Sequence, residues 1–217
     1  MTSRFSNIDK RCENCRIFAP LCFCKLLVKK EHRTPVRIVM HKSELGLTTN
    51  TAFFCEKVLK DSSIHLRGVK GTLLDVESTI DLEKYTPLYL FPDDSAVELN
   101  SELLSSLNKP PLLVVPDGSW SQAKKFKKRE SSLANIKSVK LPPGIKSNYR
   151  LRTSPAEGAV CTYEAIAIAL GICEGNELKD SLLDIFKVIT DRMYYSRSGI
   201  VSLEQLDEIL KKEADLN

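Results

Sequence analysis

The stretch Leu112-Leu113-Val114-Val115-Pro116-Asp117-Gly118-Ser119-Trp120-Ser121-Gln122, continued by Ala123 to Glu130, decides the reading of the fold. Its apolar run predicts a buried strand over 112–115. Ser119 and Gln122 stand at capping-box spacing: the serine hydroxyl bonds the N–H three residues on, and the glutamine reaches back. That predicts a helix from Ser119 to Glu130. A strand that turns directly into a helix is half of a parallel α/β unit. In open α/β sheets, ligands sit beyond the carboxyl ends of the strands, where helix N-termini offer unpaired N–H groups. Asp117 is therefore placed for chemistry. An ordinary Asp-Gly turn before a core tryptophan fits the same spacing equally well.

Working outward, Val36 to His41 reads as a buried strand, Asn50 to Lys60 as a helix and Ile64 to Val69 as a second strand. Pro87 to Pro92 is a third strand. Val139 to Leu141 is a short one, stopped by Pro142-Pro143-Gly144. Tyr163 to Cys173 is almost wholly apolar and predicts a buried helix, with Thr162 as its cap and Glu164 in its first turn. Leu178, Leu182, Ile185, Phe186, Ile189 and Met193 share one helical face. Leu203, Leu206, Ile209 and Leu210 mark a last, surface helix. Short apolar runs alternating with helical patterns predict an α/β domain with a mainly parallel sheet and flanking helices.

The chain has 217 residues, of which 42% are hydrophobic, enough for one large domain or a domain with an appendage. No apolar run approaches the roughly 20 residues of a membrane helix. The first residues, MTSRFSNIDKRCENC, carry no apolar stretch of signal-peptide type. A cytoplasmic protein with no membrane partner is the expectation. Four of the seven cysteines, Cys12, Cys15, Cys22 and Cys24, crowd one polar segment as C-x2-C-x6-C-x-C. Four thiolates complete a tetrahedral zinc shell and leave no open position, so the expected role is structural. An iron–sulfur cluster is the other reading. Residues 1–33 are read as a zinc-binding cap, and residues 34–217 as the main domain.

A net charge of +4 says little alone, but its distribution says more. Lys124, Lys125, Lys127, Lys128 and Arg129 crowd the helix after the Asp-Gly turn, one-signed and beside the candidate site. Such a run is usually a solvated face; here its position favours RNA phosphates. Lys10, Arg11, Arg16, Lys25, Lys29 and Lys30 put a second basic region on the cap. Arg150 and Arg152 alternate before Pro155 and suit a carboxylate or phosphate, although an edge strand with exposed arginines explains them as well. His41 ends the first strand, where a lone histidine is more often structural.

Together these pieces resemble the DTW-domain family of tRNA-uridine aminocarboxypropyltransferases. The resemblance rests on Cys12/Cys15/Cys22/Cys24, His41-x-x-Glu44, Asn50-Thr51, Leu90-Phe91-Pro92, Asp117-Gly118-Ser119-Trp120, Tyr149-Arg150-Leu151-Arg152 and Thr162-x-Glu164-Ala165, in family order. Three positions depart from it: Ser119 replaces the signature threonine, Lys42 a proline and Cys161 a serine.

The resemblance implies a SPOUT-like fold whose knotted C-terminal region binds S-adenosylmethionine. It implies transfer of the donor's 3-amino-3-carboxypropyl group to N3 of a uridine in tRNA, with release of methylthioadenosine. Leu90, Phe91, Pro92, Gly118, Ser119, Trp120, Arg150, Leu151, Arg152 and Thr162 would surround the donor. Trp120 would wall the pocket, Arg150 or Arg152 would hold the donor carboxylate, and Asp117 would take the uracil proton. The alternatives are a SPOUT-like RNA methyltransferase and a non-catalytic, zinc-dependent RNA-binding protein.

Overall fold

The computed structural model describes residues 10–72, 74–151 and 159–214. Six strands form one sheet: β1 (Val36–His41), β2 (Ser62–Arg67), β3 (Thr86–Leu90), β4 (Val97–Glu98), β5 (Pro111–Asp117) and β6 (Lys137–Lys140). Their spatial order is β2-β1-β5-β3-β6-β4, and every pairing is parallel. The register sets Met40 opposite Asp117 and Tyr89 opposite Val114.

Parallel sheets are covered on both faces, which is why their strands read as nearly continuous apolar runs. The pleat sorts those runs into two cores. Ile38, Met40, Leu88, Leu90, Leu113, Val115 and Val139 enter the larger one. Their chain neighbours Val39, Tyr89, Leu112 and Val114 enter the smaller. The larger core is closed by α1 (Cys55–Val58), α5 (Thr162–Glu174), α6 (Asn176–Arg197) and Leu206 of α7 (Leu203–Ala214). The smaller is closed by Ala123 and Phe126 of α3 (Trp120–Arg129) and Leu133 of α4 (Ser131–Ala134). Leu182, Phe186, Ile189 and Met193 are buried along α6, as their helical spacing predicts.

The segment 10–33 is turns and short 3-10 pieces, Ala19–Leu21 and Cys24–Leu26. Its Cys15, Ile17, Leu21 and Phe23 are buried in the larger core, so this region leans directly on the sheet domain. Among the described residues, no helix is long and apolar enough to cross a membrane.

Several boundaries differ from expectation. The helix predicted over Asn50–Lys60 is instead a 3-10 turn at Ala52–Phe54 followed by the four residues of α1. The reason is competition for backbone groups. The Lys30 N–H takes the Val58 carbonyl, and the Lys60 N–H is drawn to the Lys30 carbonyl, so the chain becomes extended before a second turn can form. The last short strand begins at Lys137 rather than Val139, because Leu88 to Leu90 of β3 pair with Lys137 to Val139. β4 and α2 (Ser101–Ser105) occupy a region to which the sequence assigned no element. Asn100 caps α2 by accepting the Leu103 N–H at 2.9 Å.

Candidate functional site

The sheet order places β5 between β1 and β3, a switch point beyond whose carboxyl end an open α/β sheet leaves a crevice. A cavity of about 1070 Å³ lies there. Leu90, Phe91 and Pro92 enter it from the end of β3, and Pro116 and Gly118 to Trp120 from the end of β5. Lys140 to Ser147 follow β6, and Ala159 to Thr162 lead into α5. The connections that follow β3, β5 and β6 at the carboxyl edge thus make its walls.

The turn after β5 is rigid for local reasons. Ser119 caps α3, and the Gln122 Oε1 accepts the Ser119 N–H at 2.8 Å, completing the expected capping box. A Cβ on Gly118 would sit 2.9 Å from that same Oε1, so glycine keeps the box intact. Trp120 opens the helix at 45% exposure, with its ring centroid 5.6 Å from that of Phe91. The two form an aromatic wall.

Asp117 ends β5, with its carboxylate beside Asn50 and Thr162. It is 5% exposed and does not line the cavity, although both its chain neighbours do. Asn50 Nδ2 donates to its Oδ2 at 2.6 Å, and Thr162 Oγ1 donates to its Oδ1 at 2.6 Å. The Asn50 amide is oriented by its own Oδ1, which accepts the Phe53 N–H at 2.9 Å. The same Nδ2 reaches Glu44 Oε2 at 3.3 Å, so one amide joins two buried carboxylates. Thr162 is thus not the cap of α5. Cys161 occupies that position, and Glu164 accepts the Cys161 N–H at 3.1 Å. The threonine hydroxyl points to Asp117 instead. A buried carboxylate binds such a donor more strongly than a helix end does.

Glu164 does more than favour the helix dipole. Its carboxylate also accepts from Ser147 Oγ at 2.6 Å and from the Asn148 N–H at 2.8 Å. It thereby ties the loop after β6, one wall of the cavity, to the first turn of α5. Burial pushes the Cys161 thiol well up, so this residue lines the cavity as a neutral thiol.

Of the residues expected around a donor, Leu90, Phe91, Pro92, Gly118, Ser119, Trp120 and Thr162 line the cavity. Arg150 and Leu151 do not. The Arg150 guanidinium lies 6.0 Å from the Tyr194 ring, and Leu151 packs against the larger core. Arg152 lies outside the described residues. Among the described residues, the cations that line the cavity are Lys140 and Lys146, neither of which the sequence singled out. The loop rule applied to the strand before Pro142-Pro143-Gly144 would have found them. Glu44 and Asn50 stood among the motifs of the resemblance, but nothing in the sequence said that they meet Asp117, because Asn50 and Asp117 are 67 residues apart in the chain.

Lys124, Lys125, Lys128 and Arg129 are exposed on α3. Lys127 is not equivalent to them. It turns inward, donates to Ser138 Oγ at 2.7 Å and lies 3.9 Å from Asp93. In the cysteine-rich segment, Arg16 is similarly engaged, donating to the Leu45 carbonyl at 2.6 Å over the Phe53 ring.

Away from the cavity, the sulfur atoms of Cys12, Cys15, Cys22 and Cys24 all lie within 4.8 Å of one another, a group that could hold a metal ion. Three separations, 3.5, 3.6 and 3.8 Å, are far longer than the ~2.05 Å of a disulfide. They approach the roughly 3.8 Å edge of a tetrahedron with metal–sulfur bonds of about 2.3 Å. The Cys15 backbone N–H draws the Cys12 thiol down to about 6, whereas burial pushes Cys15 and Cys24 up. Packing four thiols this closely suits a cation that offsets their charge.

The DTW domain profile matches residues 9–194. Over 177 residues the chain is 27% identical to the tRNA-uridine aminocarboxypropyltransferase 2 of Macaca fascicularis, covering 79% of this chain and 59% of that protein. It is 28% identical over 213 residues to the protein of the same name from Drosophila melanogaster, covering 94% and 82%. The tRNA-uridine aminocarboxypropyltransferase A of Arabidopsis thaliana is 27% identical over 231 residues, covering 93% and 86%. The chain thus spans less than two thirds of the macaque relative's length. No solved structure matches it. The match takes in the cysteine cluster, the Asp117 turn, the cavity loops and most of α6, and it establishes that the chain belongs to the DTW domain family.

Proposed function

We propose that the chain transfers the 3-amino-3-carboxypropyl group of S-adenosylmethionine to N3 of a uridine in tRNA, releasing methylthioadenosine. One observation carries the reading: in a chain of this family, the switch-point cavity is lined by Phe91, Trp120 and Thr162, and the Thr162 hydroxyl is held by the buried carboxylate of Asp117. The relatives' names supply the reaction class.

The sulfonium of the donor activates three carbons, so group choice is a matter of positioning. Trp120 and Phe91 hold the adenosyl or methyl side, leaving the methionine-chain carbon toward the RNA. Lys140 or Lys146 pairs with the donor carboxylate, a role the sequence alone gave to Arg150 or Arg152. Leu90, Pro92, Gly118 and Ser119 complete the enclosure. Asp117 receives the N3 proton, which leaves the nitrogen pair available for attack. Lys124, Lys125, Lys128 and Arg129 meet RNA phosphates beside the site.

In this reading, residues 1–33 are a cap on a catalytic domain of SPOUT-like class, 34–217. The all-parallel sheet and the clustering of ligand-facing loops at one edge support that class. Cys12, Cys15, Cys22 and Cys24 would hold one zinc ion, whose four filled positions give it a structural role.

The test is a double-label assay with tRNA and S-adenosylmethionine labelled in the methyl or in the carboxyl group. Carboxyl label in the RNA and methyl label in methylthioadenosine are expected. Methyl label in the RNA would establish a methyltransferase instead. No label from either donor, on a tRNA known to be unmodified, would leave a binding protein.

A further inference from the structure

We propose that Thr162 is a catalytic proton relay between the cavity and Asp117. This rests on the transfer reading above and supplies the step which that reading lacks. Asp117 is 5% exposed and is not among the described residues that line the cavity, whereas Thr162 is, so a nucleobase in the cavity meets the threonine hydroxyl first. Thr162 meets both. It lines the cavity, and its Oγ1 donates to Asp117 Oδ1 at 2.6 Å. A hydroxyl has one proton and two lone pairs. With the proton committed to Asp117, the same oxygen is left to accept a hydrogen bond from the cavity side.

The geometry prepares this arrangement in advance. Cys161 takes the capping position of α5, and Glu164 satisfies the Cys161 N–H, so the helix end makes no demand on the threonine hydroxyl. Asn50 holds the far oxygen of Asp117 at 2.6 Å and is itself fixed by the Phe53 N–H. The carboxylate therefore keeps the Thr162-facing oxygen in place.

In the transfer step, the uracil N3–H proton passes to Thr162 Oγ1 as the original Thr162 proton passes to Asp117 Oδ1. The N3 pair attacks the methionine-chain carbon. The carbon–sulfur bond breaks, and its electron pair stays on sulfur as methylthioadenosine leaves. The positive sulfonium and the negative carboxylate are both neutralised, so charge balances. Afterwards Asp117 returns its proton through the same hydroxyl to solvent entering the cavity.

The test uses the full chain with Thr162→Val, which keeps shape and removes the hydroxyl, and Thr162→Ser, which keeps the hydroxyl. Three quantities are measured: single-turnover transfer of carboxyl label, calorimetric affinity for S-adenosylmethionine, and the dependence of the wild-type rate on deuterium content. Thr162→Val should lose about 100-fold or more in rate, the usual scale for acid–base assistance, with donor affinity unchanged. Thr162→Ser should restore most of the rate. Two protons in flight should bow the plot of rate against deuterium fraction. A linear plot, or near-normal turnover by Thr162→Val, overturns the relay while leaving the transfer reading standing. A fall in donor affinity that accounts for the lost rate also overturns it and makes Thr162 a binding residue. Absence of carboxyl transfer by the wild type overturns the transfer reading itself, and the relay with it.

Discussion

The cysteine cluster draws its four sulfur atoms from residues 12 to 24, while the cavity draws its walls from segments spread between residues 90 and 165. The first is a local object: short loops bring the thiols together, and a bound ion would close them. The second exists only because parallel pairing brings the ends of β3, β5 and β6 to one edge. Local sites announce themselves by spacing. Sites of the second kind are announced by single turns, here Asp117 to Trp120, and the remaining walls follow from topology. The two regions are not independent, however, since Ile17, Leu21 and Phe23 beside the cysteines share the larger core with Ile38, Val115 and α5.

That shared core gives the largest expected effect. Zinc binding by small structural sites is worth roughly 10 to 16 kcal/mol in isolated fingers, comparable to the whole stability of a domain. Purified protein should contain one zinc per chain, and Cys22→Ser or Cys24→Ser should contain none. Chelation should lower the melting temperature of the entire sheet domain, not merely loosen the first 33 residues. Full metal content in both serine variants would remove the assignment. A metal-free protein with an unshifted main transition would show that the cap is energetically separate from the sheet.

The second effect belongs to the cavity. Glu164→Ala would leave Ser147 Oγ, the Asn148 N–H and the Cys161 N–H without their buried acceptor. Each such group costs about 1–3 kcal/mol. Both thermal stability and affinity for S-adenosylmethionine should fall, because the loop from Lys140 to Ser147 is a cavity wall. Glu164→Gln, with one acceptor oxygen kept, should fall less in both. Lost stability with unchanged donor affinity would mean that the loop finds its place without this anchor.

The smallest effect tests the basic helix. Replacing Lys124, Lys125, Lys128 and Arg129 by Gln should flatten the slope of log affinity for tRNA against log salt. The change should be about 0.7–0.9 for each charge that meets a phosphate. Lys127→Gln should leave the slope alone, since that ammonium is committed to Ser138 and Asp93, and should instead weaken the hold on β6. An unchanged slope in the fourfold variant would move the RNA surface to the cap, where Lys10, Arg11, Lys25 and Lys29 are exposed.

Much of the fold was legible because it depends on near neighbours in the chain. The apolar runs at Val36, Pro87 and Leu112 became strands, and the capping box at Ser119 and Gln122 formed as spaced. The failures have a common cause. The helix expected over Asn50–Lys60 ends early because Lys30, far away in sequence, claims the backbone of Val58 and Lys60. Thr162 does not cap its helix because Asp117, 45 residues earlier, takes its hydroxyl. Lys127 looks like its neighbours in a charge run, yet β6 captures it.

The sequence by itself determined the elements that local hydrogen bonds and apolar periodicity dictate, the thiol cluster and the turn at Asp117. Only the tertiary structure decided which oxygen of Asp117 meets Asn50 and which meets Thr162, which lysines reach the cavity, and that Glu164 anchors its wall. Periodicity reports which face of an element is buried, because burial of apolar surface is non-directional. Hydrogen bonds between distant residues are directional, and their partners are settled only when the sheet order brings them within about 3 Å.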